Sequence, residues 1–193
     1  LHTRNRLAYN MRLFFWAALM QTGNCILTLL FQEKGIYLTH NIFLTLACGV
    51  LMLSLFFGFS ENGGAAKDRK HGLRIAAGVL VLLAGLVFSE GGMALLPFML
   101  LTYLFRNQVF FRNLSYVVWA GVLFAMSIQI YPTLQDTLSM LLYNSDWLFI
   151  SVLPLLHFYN GERGSSSKWS KYFFYIFYPA HLWLIALIAF WVK

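Results

Sequence analysis

Apolar residues fall into seven blocks along the chain, at 12–31, 42–59, 74–89, 91–106, 114–131, 142–160 and 173–192, with polar and charged residues gathered between them. Such blocks suit a bilayer, because about 20 apolar residues in a helix span the roughly 30 Å hydrocarbon layer. The pattern predicts an all-α protein, a polytopic transmembrane helix bundle of about seven spans, forming one membrane-embedded domain over residues 1–193. Pro97 interrupts the fourth block, and Asn144, Asp146 and Pro154 interrupt the sixth. Ser165-Ser166-Ser167 reads as a loop.

Charge turns this pattern into a topology. If the chain crosses seven times, one side collects Arg4, Arg6, Arg12, Lys67, Arg69, Lys70, Arg74, Arg106, Arg112, Arg163, Lys168 and Lys171, and the other only Lys34 and Lys193. Lys and Arg accumulate on the cytoplasmic side. The N-terminus and the loops 60–73, 107–113 and 161–172 are therefore expected in the cytoplasm and the C-terminus outside, as in a multi-pass protein of the bacterial inner membrane. Dropping either interrupted span would scatter the basic loops over both faces. Tyr116, Tyr131, Trp147, Trp169, Tyr172 and Trp191 stand where apolar meets polar, as interfacial rings do.

Composition agrees with this class. The 193 residues are 60% hydrophobic and 11% charged, against about 25% charged in soluble domains. A net charge of +7 could suggest nucleic acid, but topology accounts for the basic clusters and no nucleic-acid partner is expected. Cys25 and Cys48 lie inside apolar blocks without metal-ligand spacing, and are expected to be buried, reduced thiols. The chain opens on Leu1 and not Met, so its natural start is expected upstream, and its polar, basic first residues do not read as a signal peptide.

One ionisable side chain interrupts the last block, His181 in Tyr175-Ile176-Phe177-Tyr178-Pro179-Ala180-His181-Leu182. A buried polar group must find a partner, and ionisable residues inside a span mark function by default. Tyr178 precedes His181 by three residues and shares its helical face. Pro179 cannot donate to the Tyr175 carbonyl, which leaves that oxygen free. Imidazole exchanges protons near neutrality, which suits general-base work on an amine or alcohol. A structural histidine bonded to a neighbouring helix, with Pro179 only kinking its own, is the plain alternative.

Three further groups stand at the ends of the blocks. Asn160-Gly161 ends the sixth near His157, with Arg163 just beyond. Arginine's planar fork suits phosphate. Arg4, Arg6 and Arg12 add donors on that face, so these residues could hold an anionic cosubstrate or pair with lipid headgroups. On the opposite face Glu90, in Ser89-Glu90-Gly91-Gly92, could attract a free amine or be a solvated loop residue. His40-Asn41 opens the second block, and Asn41 could simply cap its helix. No phosphate loop, GxGxxG, HExxH or CxxC is present, which leaves metal and redox-cofactor readings without support.

The chain resembles the TraX family of integral-membrane pilin N-acetyltransferases over nearly its whole length. The resemblance is carried by His2-Thr3-Arg4-Asn5-Arg6 with Tyr9 and Arg12, by Asn41-Ile42-Phe43-Leu44-Thr45-Leu46 with Gly49, and by Ser89-Glu90-Gly91-Gly92 with Tyr103-Leu104-Phe105-Arg106. Tyr159-Asn160-Gly161-Glu162-Arg163-Gly164 and Phe173-Phe174-Tyr175…Phe177-Tyr178-Pro179-Ala180-His181-Leu182 complete it. The resemblance implies acetyl transfer from acetyl-CoA, without a metal, to the N-terminal amine of a pilin-like protein. It implies catalytic roles for His181 and Tyr178, coenzyme A binding by Arg4, Arg6, Arg12, His157, Asn160 and Arg163, and an acceptor side at Glu90 and Asn41. It also implies two further N-terminal helices, the first with an Asp-His pair, and Gly91 stands where the family commonly has an aromatic. Two rival readings remain open: an O-acyltransferase acting on an envelope polysaccharide or lipid, and a small permease or channel subunit.

Overall fold

The computed structural model describes residues 6–57, 71–162 and 167–192, so Arg4 and Arg163 lie outside the described residues. The described chain is all helix, without a strand. Eight α-helices follow in order: α1 (Arg6–Phe31), α2 (Ile42–Phe57), α3 (His71–Phe88), α4 (Gly92–Leu104), α5 (Val109–Ser127), α6 (Leu134–Tyr143), α7 (Val152–Phe158) and α8 (Lys168–Val192). A 3-10 turn follows α1, and a longer 3-10 stretch, Ser145–Ser151, joins α6 to α7.

Every predicted block contains helix, but the blocks are not seven equal crossings. Among the described residues four helices, α1, α3, α5 and α8, are long and apolar enough to cross a membrane. A fifth span is available if α6 and the Ser145–Phe158 segment count as one, broken by a 60° bend. The described part of α2 has 16 residues and α4 has 13, about 24 and 20 Å at 1.5 Å per residue, short of the hydrocarbon thickness. The sixth block also starts earlier than its apolar run suggests. Thr133 caps α6 by accepting the Asp136 N–H at 3.1 Å, a capping signal that lies outside the run. Helix α1 likewise extends back to Arg6, since a membrane helix need not stop where the hydrocarbon does.

The helices pack because each turns a periodic face inward. On α1 that face is Asn10, Leu13, Ala17, Met20 and Asn24, spaced three and four residues apart. Phe43, Ala47 and Val50 of α2 and Tyr175 of α8 close over it. Helix α2, which touches α1, α3 and α4, is the buried hub. The row continues from α4 to α5 and then to the Ser145–Ser151 stretch. Outward positions stay apolar, among them Leu29, Leu80, Leu83 and Val87, as a lipid-facing surface requires.

Helices α1 and α8 run parallel in constant register. Trp16 stacks on Tyr175 at 5.4 Å between ring centroids, Trp183 Nε1 donates to Asn24 Oδ1 at 2.9 Å, and Phe31 stacks on Phe190 at 4.6 Å. Their N-termini therefore share one end of the bundle. Tyr103 of α4 stacks on Phe57 of α2 at 4.4 Å, and α2 runs back along α1, so Arg106 also falls at that end.

After α1 the chain reverses at Gly35 (φ 68°) and descends along α1 before α2 begins. Leu38 N donates to Thr28 Oγ1 at 3.0 Å, Asn24 Nδ2 to the His40 carbonyl at 2.8 Å, and Asn41 Nδ2 to the Ala17 carbonyl at 3.0 Å. Helix α2 thus starts level with the middle of α1. Its partners α3 and α4 are joined at the same depth, where Thr45 Oγ1 donates to the Glu90 carbonyl at 2.6 Å.

Two features of the sequence are reassigned by this packing. Tyr116 is fully buried against Phe98 and shares a 2.6 Å hydrogen bond with Thr102, so it is a core residue and not an interfacial ring. Trp169 and Trp191 do stand exposed at the two ends of α8. Cys25 is exposed and Cys48 half-buried, both free thiols, because Cys25 lies on the outward face of α1.

The α3–α4 turn depends on a Gly pair: Gly91 takes φ 61°, and a Cβ on Gly92 would run into the Gly85 carbonyl, which is backbone. Gly92→Ala is expected to lower stability by about 1–3 kcal/mol through overpacking, read as a fall in the thermal unfolding midpoint in detergent. Gly72→Ala, at a site open to space, should leave the midpoint in place.

Candidate functional site

Where α2 begins and the α3–α4 turn lies, level with the middle of α1, polar side chains from four parts of the chain converge. Glu90 is at the centre, with its side chain 30% exposed. Its Oε1 lies 2.8 Å from His40 Nδ1, and its Oε2 accepts the Tyr178 hydroxyl at 3.0 Å. The Glu90 backbone is held by Thr45. The carboxylate is therefore fixed at both oxygens and at its main chain. It is not the freely solvated loop residue that its sequence position allowed.

His181 joins this cluster through Tyr178. The imidazole meets the Tyr178 ring edge-on at 5.4 Å and stacks on Phe177 at 5.1 Å. Its Nδ1 lies 2.9 Å from the Phe177 carbonyl. A carbonyl only accepts, so the neutral ring carries its proton on Nδ1 and presents a lone pair at Nε2. The partners of the two side chains are thereby defined. The imidazole takes the Phe177 carbonyl and not the Tyr175 oxygen freed by Pro179, because an i−4 carbonyl is what a helical side chain reaches most easily. The Tyr178 hydroxyl goes to Glu90, so Tyr178 positions His181 by ring contact and not by a hydrogen bond.

Asn41 is committed elsewhere. It is buried, and its amide donates to the Ala17 carbonyl and, at 3.3 Å, to Gln21 Oε1. Its Oδ1 accepts the Leu44 N–H at 3.4 Å, a long cap. It braces α2 on α1 beside the site. Asn24, also buried, ties α1 both to α8 through Trp183 and to the His40 carbonyl. Sequence reading missed Asn24, although a polar residue on the inward face of α1 was a signal available for it.

The predicted phosphate-binding residues divide into two places. Arg6 and Arg12 lie in the first two turns of α1, with Arg12 and Tyr9 beside the Tyr175 hydroxyl. His157 and Asn160 lie at the end of α7, across α2, α4 and α5 from α1. His157 pairs with Asn113 at 3.3 Å and with the Leu153 carbonyl at 2.9 Å, and the Asn160 side chain closes a local turn by accepting the Glu162 N–H at 3.0 Å. The described structure does not bring these two groups together. The row of intervening helices separates them.

The family model described as TraX protein matches residues 1–189. No curated protein and no solved structure matches the chain.

Asn24 makes the bonds that hold the cluster's frame, so Asn24→Ala would leave the Trp183 N–H and the His40 carbonyl without partners. Each orphaned group costs about 1–3 kcal/mol, and the unfolding midpoint in detergent should fall accordingly. In a cycle with Trp183→Phe the double variant should lose less than the sum of the singles, because the second change removes a donor already stranded.

Proposed function

The chain belongs to the TraX family, and from that membership we propose that it is a membrane-embedded acetyltransferase. In this reading it moves an acetyl group from cytoplasmic acetyl-CoA to the N-terminal amine of a pilin-like protein. The protein lies in the cytoplasmic membrane of a bacterium, with the basic end of the bundle inward and the C-terminus of α8 outward.

The observation that carries this reading is the pairing of a base with an anion at mid-depth. His181 offers an unpartnered Nε2 among the described residues, one ring contact from Tyr178, whose hydroxyl is bound to Glu90. Glu90 attracts the acceptor's ammonium group. His181 removes the proton that the nitrogen sheds as it attacks the thioester carbonyl carbon. The C–S bond then breaks, and coenzyme A leaves as a thiolate that takes up this proton. Apolar surroundings favour the neutral amine needed for attack. Arg6 and Arg12, at the basic end of the same helix pair, would hold coenzyme A phosphates, with Arg4 beside them in sequence. His157 and Asn160 are assigned instead to that face's lipid or loop contacts, since they stand across the bundle.

Glu90 also favours an amine over the hydroxyl of a polysaccharide or lipid, because a carboxylate gains more from a cation than from a neutral donor. A permease would place its broken helix at the polar cluster. Here the bend at Asn144 packs on α5, away from α1 and α8.

Membranes carrying the protein, given radiolabelled acetyl-CoA and a pilin-like acceptor, should label the acceptor's N-terminus. His181→Gln should insert normally and lose about 10²–10⁴-fold in rate, the usual worth of a general base. Wild-type turnover by that variant would remove His181 from the mechanism.

A further inference from the structure

Acetylation of an ammonium group releases two protons from one nitrogen, and the reading above uses only one. The first must leave before attack, converting ammonium to amine. The second leaves as the amide forms. His181 accounts for the second, which ends on the coenzyme A thiolate. The first needs another base with a route away from the thioester.

His40 has the required geometry. Its Nδ1 is held 2.8 Å from Glu90 Oε1, and a carboxylate in that position fixes the tautomer with the proton on Nδ1, so Nε2 carries the lone pair. Tyr178 and Thr45 immobilise Glu90 in turn, and Asn24 holds the His40 main chain. This is a carboxylate-oriented imidazole with no further hydrogen-bond partner among the described residues. It is also the more exposed of the two partners, at 62%, which gives its proton a way out.

His40 borders a half-open cleft of about 250 Å³ between α1, the descending segment and α8. Asn24, Tyr37, Leu182, Ala186 and Ala189 line it with His40, and the surface is mostly apolar. Leu182 follows Tyr178 by one turn of α8, so the cleft opens beside the Glu90 cluster with His40 in its wall. An apolar trough with a carboxylate–imidazole pair at its rim complements an apolar residue bearing a free α-ammonium. Other titratable groups near the pair are few. Tyr178 and His181 approach from α8 and Tyr37 from the descending segment, Cys25 faces outward on α1, and Lys34 is engaged at the Phe190 carbonyl at 2.6 Å.

We propose that this cleft receives the acceptor's N-terminal residue, apolar in character, and that His40, oriented by Glu90, is a second catalytic base that strips the first proton from its ammonium group. The inference rests on the acetyltransferase reading for its second half but not for its first. Glu90 is the positioning residue, and the proton taken by His40 is released to water.

The test is the pH dependence of acetyl transfer to a leucine-led tripeptide amide. Without His40 only acceptor already unprotonated can react, and that fraction falls about tenfold per pH unit below an α-amine pKa of about 7.7–8.0. His40→Gln should therefore lose about 10–100-fold near pH 6–7 and recover towards the wild-type rate above pH 8.5, whereas His181→Gln stays inactive throughout. Ala189→Phe, which fills the cleft, should raise KM for the tripeptide and leave KM for acetyl-CoA unchanged. A His40→Gln loss that is the same at every pH, or no loss, would overturn the assignment. A wild type that acetylates nothing sinks the proposed function, and the cleft is then read by chemical labelling. The free-amine tripeptide should slow diethylpyrocarbonate modification of His40, its N-acetylated form should not, and Ala189→Phe should abolish the difference. Equal or absent protection would overturn the acceptor site.

Discussion

A peptide backbone inside a bilayer has no water to bond with, and the descending segment between α1 and α2 is where this protein meets that constraint. A chain that leaves helix in the hydrocarbon layer must satisfy its free N–H and C=O groups from protein. Here α1 does so with side chains. Thr28 takes the Leu38 N–H, Asn24 gives to the His40 carbonyl, and Asn41 reaches back to the Ala17 carbonyl. These bonds let α2 begin halfway along α1. The shortness of α2 and α4 follows from that starting depth, and so does the position of Glu90, which Thr45 pins to the same level.

The parallel pair α1 and α8 supplies the other half of the frame. Contacts at Trp16–Tyr175, Asn24–Trp183 and Phe31–Phe190 keep one register along both helices, so α8 cannot slide without breaking all three. That register sets Tyr178 against Glu90 and keeps His181 in ring contact with Tyr178. The same alignment puts Arg6 and Arg12 at one end and Lys34 at the other, so cations stand at both ends of the helix pair.

Much of this was legible in the chain itself. Apolar runs located the other helical regions but not α6, most of which lies ahead of the sixth run, and the Tyr178–His181 spacing put both rings on one face. Lateral arrangement was not legible. Nothing in the sequence distances Asn160 from Arg12, because run length and charge report depth and never position around the bundle. Tyr116 was misread for the same reason: an aromatic at a block's edge and one in a core look alike until a partner such as Thr102 is placed. Glu90 was ambiguous because its bonds come from residues far away in the chain, and His40 because it lies outside any apolar run.

Charge balance decides what the cluster can accept. Glu90 is the one acid in the cluster, and its two side-chain partners are a phenol and an imidazole. With both neutral, the cluster carries one uncompensated negative charge in a half-buried setting, which is costly until a cation arrives. A protonated His40 would itself be that cation, and an incoming ammonium would then meet a neutral pair and a like charge beside it. One ammonium can be held when His40 is neutral, and once its proton passes to the imidazole the attraction passes with it. The nitrogen is left as a neutral amine among apolar side chains, no longer bound to Glu90 and free to turn towards a thioester. In the proposed reaction the anion that recruits the ammonium would be compensated by the same proton transfer that makes the amine reactive.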